Sequence, residues 1–202
     1  MKKDVHNLNL VSPTQYAGVI AEALEKPFPL PVVWNTGGYE RLETLRLLEG
    51  KVQVYLSDMK YADDALALRL SGAGDYFSTA CAAAKEMFRQ TGSALYDEQG
   101  LMIRGLMIRH LALPGHFANT KAVIDWFSSE FSSRGALFSL MTQYTPMNEL
   151  GRFPELRRRL SRRECARLEE YLYASGIKEG YVQERSSAGC EFIPAFDLTG
   201  LC

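Results

Sequence analysis

The sequence is short of cysteine. Cys81, Cys165, Cys190 and Cys202 stand far apart and form no CxxC, so neither a disulfide framework nor a metal knuckle is expected. A reduced, cytoplasmic setting fits that usage. Long apolar runs are absent, and Met1-Lys2-Lys3-Asp4 leads into only a brief apolar segment, which argues against a membrane span and a signal peptide. An excess of either charge is missing too. With 23 basic against 24 acidic side chains the net charge is −1, and nothing in that balance asks for nucleic acid or an acidic membrane. No GxGxxG, GxxxxGKS or GxxxxGKT follows any expected strand, since Gly72-Ala73-Gly74 comes after a helix; dinucleotide and P-loop readings are therefore poor. No serine or cysteine has an obvious histidine partner, so nucleophilic catalysis has no support.

What is present is a repeated alternation. Apolar runs at 8–11, 31–35, 54–61, 106–113 and 137–141 read as strands, with 180–183 as one more. Between them lie segments with helical spacing. Ser12, Pro13 and Gln15 predict a capped helix start, with Tyr16, Ile20, Ala23 and Leu24 as its buried stripe. A second helix carries Leu42, Leu45 and Leu48. A third is expected near 64–70 and a longer one over 75–91, with Cys81 on its apolar stripe as an inert core thiol. The next begins near Asn119 and buries Val123, Ile124, Phe127 and Phe131. In the last, Ser161 and Glu164 form a capping box ahead of Cys165, Leu168 and Leu172. The arginines at 157–159 and 162–163 are interleaved with acids, so a solvated helix face is favoured over nucleic-acid binding. Strand and helix in alternation predict a parallel α/β sheet, over 1–185, followed by a tail, 186–202, without clear periodicity.

The strand exits carry the chemistry. Val54, Leu56, Asp58 and Lys60 share one face of an extended segment, so an acid and an amine leave one strand end together. Either they form a surface ion pair or they face a ligand at the carboxyl end of a parallel sheet, where such folds place their sites. Arg109, mid-strand with Met107 and Leu111, needs a paired anion, which an internal carboxylate or a ligand carboxylate or phosphate would supply. His110 points to the opposite face, toward a helix. Asn35-Thr36 and Gln143-Tyr144 end two further strands.

With these residues in view, the sequence resembles the radical S-adenosylmethionine enzymes, in the branch of the pyruvate formate-lyase activating enzymes. The carriers are Asn7-Leu-Asn-Leu-Val-Ser-Pro-Thr-Gln-Tyr16, Val33-Trp-Asn-Thr-Gly-Gly-Tyr-Glu40, Tyr55-Leu-Ser-Asp-Met-Lys-Tyr61, Ile108-Arg-His-Leu-Ala-Leu-Pro-Gly115 and Met141-Thr-Gln-Tyr-Thr-Pro146. The resemblance implies a partial β/α barrel binding S-adenosylmethionine and a [4Fe-4S] cluster at the carboxyl ends of its strands. By resemblance, Asn35, Thr36, Asp58, Lys60, Arg109 and Tyr144 fall at cofactor-contacting positions. Asn35 stands where activases have an acid, and Tyr144 where they have a histidine near the end of the last cofactor-binding strand.

The family's CxxxCxxC cluster motif is not in the sequence, and Met1 falls near the end of the helix that would follow the cluster loop. The resemblance therefore implies a barrel lacking its first strand, cluster loop and most of its first helix. Such a chain is expected to be inactive alone unless another polypeptide supplies the cluster. Its first strand would be an exposed edge open to that polypeptide or to self-association. A glycyl-radical-type protein is the substrate the branch implies. The alternatives are a non-catalytic module binding a small molecule or a partner, and a decayed remnant without activity.

Overall fold

Short apolar runs alternate with stretches whose buried residues recur every three or four positions, and they fold into strands joined by crossover helices. The computed structural model describes residues 5–146 and 150–183; the expected tail over 186–202, with Cys190 and Cys202, lies outside them. In chain order the strands are β1 (Leu8–Val11), β2 (Val32–Thr36), β3 (Val54–Asp58), β4 (Leu95–Tyr96), β5 (Met102–Leu111), β6 (Leu137–Met141) and β7 (Gly180–Gln183). Six of them run parallel in the order β1-β2-β3-β5-β6-β7, and β4 adds antiparallel to the start of β5.

Each parallel strand is added on the same side of the last, and right-handed crossovers then put the connecting helices on one face. These are α1 (Ala17–Ala23), α2 (Leu42–Leu47), α3 (Asp64–Ser71), α4 (Tyr76–Thr91), α5 (Phe117–Phe131) and α6 (Arg162–Ala174). On that face Trp34, Tyr55, Leu106, Ile108 and Phe138 are buried in one cluster with Leu45, Met87, Phe127 and Phe131 from the helices. Burying each such side chain contributes about 1.5–3 kcal/mol. On the other face Asn35, Leu56, Asp58, Met107 and Arg109 are partly buried, Val33, Val54 and Leu137 are buried, and all lie outside that cluster. Among the described residues the sheet path ends at β1 and β7, so the result is an open part-barrel with the crossover helices on its convex face. No helix among the described residues is long and apolar enough to cross a membrane.

The first helix departs from expectation. Ser12 does not cap it, because the Ser12 amide donates to the Asn35 carbonyl at 2.8 Å and so extends the sheet, with the residue at φ +51°. A 3-10 turn, Thr14–Tyr16, intervenes and α1 starts at Ala17 without a side-chain cap. The buried stripe shifts accordingly to Ala17 and Ala21, leaving Tyr16 62% exposed. β3 is shorter than its 54–61 pattern: the Met59 amide still reaches the Arg109 carbonyl at 2.8 Å, but the Lys60 amide leaves the sheet for the Tyr76 hydroxyl. β5 begins earlier than 106, because the Asp97 carboxylate accepts from the amides of Gln99 and Leu101 and folds β4 back on it. At α6 the capping box is present as the sequence predicts. Its Glu164 also accepts from Arg158 at 2.6 Å, so part of the arginine run is used within the chain, and Arg167 beyond the run lies over the Phe117 ring.

Candidate functional site

Parallel pairing of β3 and β5 sets Asp58 beside Arg109 on the concave face. Arg109 Nε and Nη2 both donate to Asp58 Oδ1, at 3.0 and 2.8 Å. The same Nη2 reaches across β3 to Asn35 Oδ1 on β2 at 2.7 Å. Lys60, two residues past Asp58, brings its Nζ to Asp58 Oδ2 at 3.2 Å. The internal carboxylate that Arg109 needed is therefore Asp58, yet two cations share that one acid. The group is half open: Asp58 and Arg109 side chains are 19% and 25% exposed, and Lys60 is 47% exposed. Within this trio of side chains the two cations outnumber the acid by one.

Arginine has no acceptor, so its bond to Asn35 fixes the carboxamide with the oxygen toward Arg109 and the NH2 donor away from it. A glycine allows the neighbouring loop to close in. At Gly38, φ +83°, a Cβ would sit 1.9 Å from the Asp58 carbonyl oxygen, so the exit of β2 can pack on the exit of β3 only without a side chain there.

Three polar residues on the helix face hold the segment that carries Lys60. The Tyr76 hydroxyl accepts from the Lys60 amide at 2.9 Å and lies 3.1 and 3.3 Å from the carbonyl oxygens of Gly37 and Asp58, either of which can take its proton. Asn119 donates to the Lys60 carbonyl at 3.0 Å and accepts from the Ala62 amide at 2.8 Å. His110, fully buried, bonds the Met59 carbonyl through Nδ1 at 2.6 Å and Thr120 Oγ1 through Nε2 at 2.9 Å. Since a carbonyl only accepts, Nδ1 carries the proton and Nε2 accepts from Thr120. Burial holds the imidazole down at about 4, which keeps it neutral near pH 7. Burial also pushes the Tyr76 phenol up, so it stays protonated.

Of the six positions singled out by the sequence, the structure brings Asn35, Asp58, Lys60 and Arg109 together. Thr36 faces the helices, where its hydroxyl donates to Glu40 Oε1, an oxygen that also accepts from Thr14 at 2.6 Å. Glu40, 2% exposed, thus ties the exit of β1 to the exit of β2. Tyr144 spends its hydroxyl on the Leu156 carbonyl at 3.0 Å and forms no hydrogen bond with the cluster. Sequence reasoning missed Tyr76, Asn119 and Glu40. For Glu40 the Gly37-Gly38-Tyr39-Glu40 run was a usable signal; Tyr76 and Asn119 read simply as helix residues.

A [4Fe-4S] cluster needs cysteines gathered at one place. Cys81 and Cys165 lie on different helices, Cys165 is buried, and burial pushes the Cys81 thiol up to about 12. Among the described residues no three His, Cys, Asp or Glu side chains converge as a metal site. The described residues do not fit the cluster.

No family model matches the chain. An uncharacterized protein of Methanocaldococcus jannaschii is 31% identical over 136 residues, which make up 67% of this chain and 36% of that protein. The chain therefore spans about a third of the length of the curated relative it matches. The fold is similar to the crystal structure of a domain of pyruvate-formate lyase-activating enzyme from Bacteroides vulgatus, with a TM-score of 0.62 and 12% identity over 88% of this chain and 98% of that one. That likeness establishes the fold, an open part-barrel like that of the activase domain.

Proposed function

We propose that this chain is the open-barrel part of a radical S-adenosylmethionine-type protein of the activase branch, and that Asn35, Asp58, Lys60 and Arg109 edge its nucleoside cleft. Lys60 and Arg109 receive the carboxylate of the ligand, Asp58 spaces the two cations, and Asn35 orients the guanidinium. Thr36 and Tyr144 act from behind, by fixing the loops that follow β2 and β6. The observation that carries this reading is the surplus cation on a half-exposed rim at the carboxyl ends of parallel strands.

The [4Fe-4S] cluster of such proteins supplies the electron that splits the sulfonium. Its ligands lie outside the described residues, so it belongs to another polypeptide or to another part of a longer protein; the Methanocaldococcus relative is longer than the stretch matched here. Among the described residues β1 pairs with β2 alone, and its other edge is the surface such a segment would pair with. A glycyl-radical-type protein is the macromolecular substrate this reading implies. The chain by itself binds and orients without cleaving.

Calorimetry with S-adenosylmethionine tests the proposal. Millimolar or tighter binding that weakens in Lys60→Ala and Arg109→Ala supports it. Losing one charge-assisted contact worth about 1.5–3 kcal/mol weakens binding by about one to two orders of magnitude. Binding that is unchanged in both variants, or no binding at all, removes these residues from any such role.

A further inference from the structure

We infer that Tyr181 is the base-stacking residue of the cleft, presenting its ring to the purine while Lys60 and Arg109 take the carboxylate at the other end of the ligand. This rests on the nucleoside-cleft reading and adds the group that recognises the base.

Lateral partners in a parallel sheet carry their side chains on the same face. Asp58 on β3 pairs with Arg109 on β5, Arg109 with Ser139 on β6, and Ser139 with Tyr181 on β7, so these four form one row across the concave face. Alternation along β7 agrees, since the next residue, Val182, packs against the helix-side cluster. The other aromatic rings of the parallel strands, Trp34, Tyr55 and Phe138, are buried in that cluster. Among the described residues, Tyr181 is thus the one such ring that the parallel strands turn to the concave face, and it is 56% exposed.

Backbone contacts fix its place. At Gly180, φ +154°, a Cβ would lie 1.9 Å from the Phe138 carbonyl oxygen, so β7 closes on β6 in this register only with glycine there. Beyond the ring, Thr142 Oγ1 donates to the Gln183 carbonyl at 3.0 Å. Neighbouring strands stand about 4.8 Å apart, which sets Tyr181 about 10 Å along the row from Arg109. Only the small Ser139 side chain stands between them in that row. An adenosyl amino acid joins its carboxylate to its base through the side-chain carbons, the sulfur and the ribose, a chain long enough to cover that span. The purine is flat, and an exposed tyrosine ring offers it a face to stack on.

Titrating the full chain with S-adenosylmethionine, by calorimetry and with NMR of the tyrosine ring protons, tests this. The Tyr181 ring signals are expected to move upfield and saturate, as the ring current of a stacked purine requires. Tyr181→Ala is expected to weaken binding by about fivefold to a hundredfold. Tyr181→Phe, which keeps the ring, and Tyr173→Ala, which removes an exposed tyrosine of α6, should bind as the parent chain does. Binding that depends on Lys60 and Arg109 but is unchanged in Tyr181→Ala, or that saturates with the Tyr181 ring signals unmoved, overturns the stacking inference and leaves the cleft standing. An equal loss in Tyr181→Phe overturns it as well, by assigning the effect to the hydroxyl. Binding unaltered by Lys60→Ala and Arg109→Ala, or no binding at all, removes the cleft reading and the inference with it.

Discussion

Arg109 on β5 donates to Asn35 on β2 at 2.7 Å, although β3 runs between them. The guanidinium passes over Asp58 and ties three parallel strands together at their exits. One side chain therefore sets the geometry of the rim, and several consequences can be measured.

Gly38→Ala is expected to disrupt the rim, because its methyl would have to share space with the Asp58 carbonyl in a backbone conformation that alanine avoids. Gly37→Ala is the control, since a Cβ there meets only Lys60 Cε at 3.7 Å, an ordinary contact. Chemical denaturation should show a loss of more than about 1 kcal/mol for the first and under about 0.5 kcal/mol for the second. Equal stability of the two variants would mean that the exits of β2 and β3 are not packed as described.

Tyr76→Phe removes the hydroxyl that receives the Lys60 amide while leaving the ring in its stack with Tyr39. A buried amide without a partner costs about 1–3 kcal/mol. The unfolding free energy should fall by that amount, seen as a lower urea midpoint with an unchanged slope. An unaltered midpoint would show that the phenol does not hold this segment.

His110 makes stability depend on pH in a defined window. Its folded value, about 4, lies below its ordinary 6.5, so the unfolded chain takes up a proton first as the pH falls. The contribution is fully present above about pH 6.5 and is lost between there and about pH 4, by up to about 3 kcal/mol. Glu86, held down at about 2 chiefly by its bonds from Arg89, loses its contribution only below its ordinary 4.5. Unfolding free energies measured from pH 7 to pH 5 should therefore decline in the parent chain and stay nearly flat in His110→Gln. A parallel decline in both would assign the slope to other groups.

Ser161→Ala removes a cap whose hydroxyl accepts from the Glu164 amide at 3.2 Å. About 1 kcal/mol of stability should be lost. No loss in thermal unfolding would mean that Arg158 and Gly115, which also hold Glu164, suffice to start α6.

Much of this was legible in the sequence. Alternating apolar and helical stretches gave the parallel strands, and the two-residue period of Asp58 and Lys60 placed an acid and an amine at one exit. His110 was expected against a helix and is found against Thr120 of α5. The less legible parts depend on contacts distant in sequence. Tyr76 meets Lys60 from 16 residues away and Asn119 from 59, and a helical pattern reports which face is buried, not which backbone group a hydroxyl or amide will find. Alternation by itself puts Thr36 on the face opposite Asn35, and only the resemblance had grouped the two. β4 is two exposed residues long, too short for any periodicity to register.

The central claim is that Asn35, Asp58, Lys60 and Arg109 edge one ligand cleft. Titrating the isotope-labelled chain with S-adenosylmethionine, while following the Arg109 Nε–H and Lys60 amide resonances by NMR, tests it most directly. The account expects both signals to shift together and saturate at one affinity, with residues at the opposite ends of the strands unmoved. Saturable shifts that leave Arg109 and Lys60 in place, or no saturable shift at all, would contradict it.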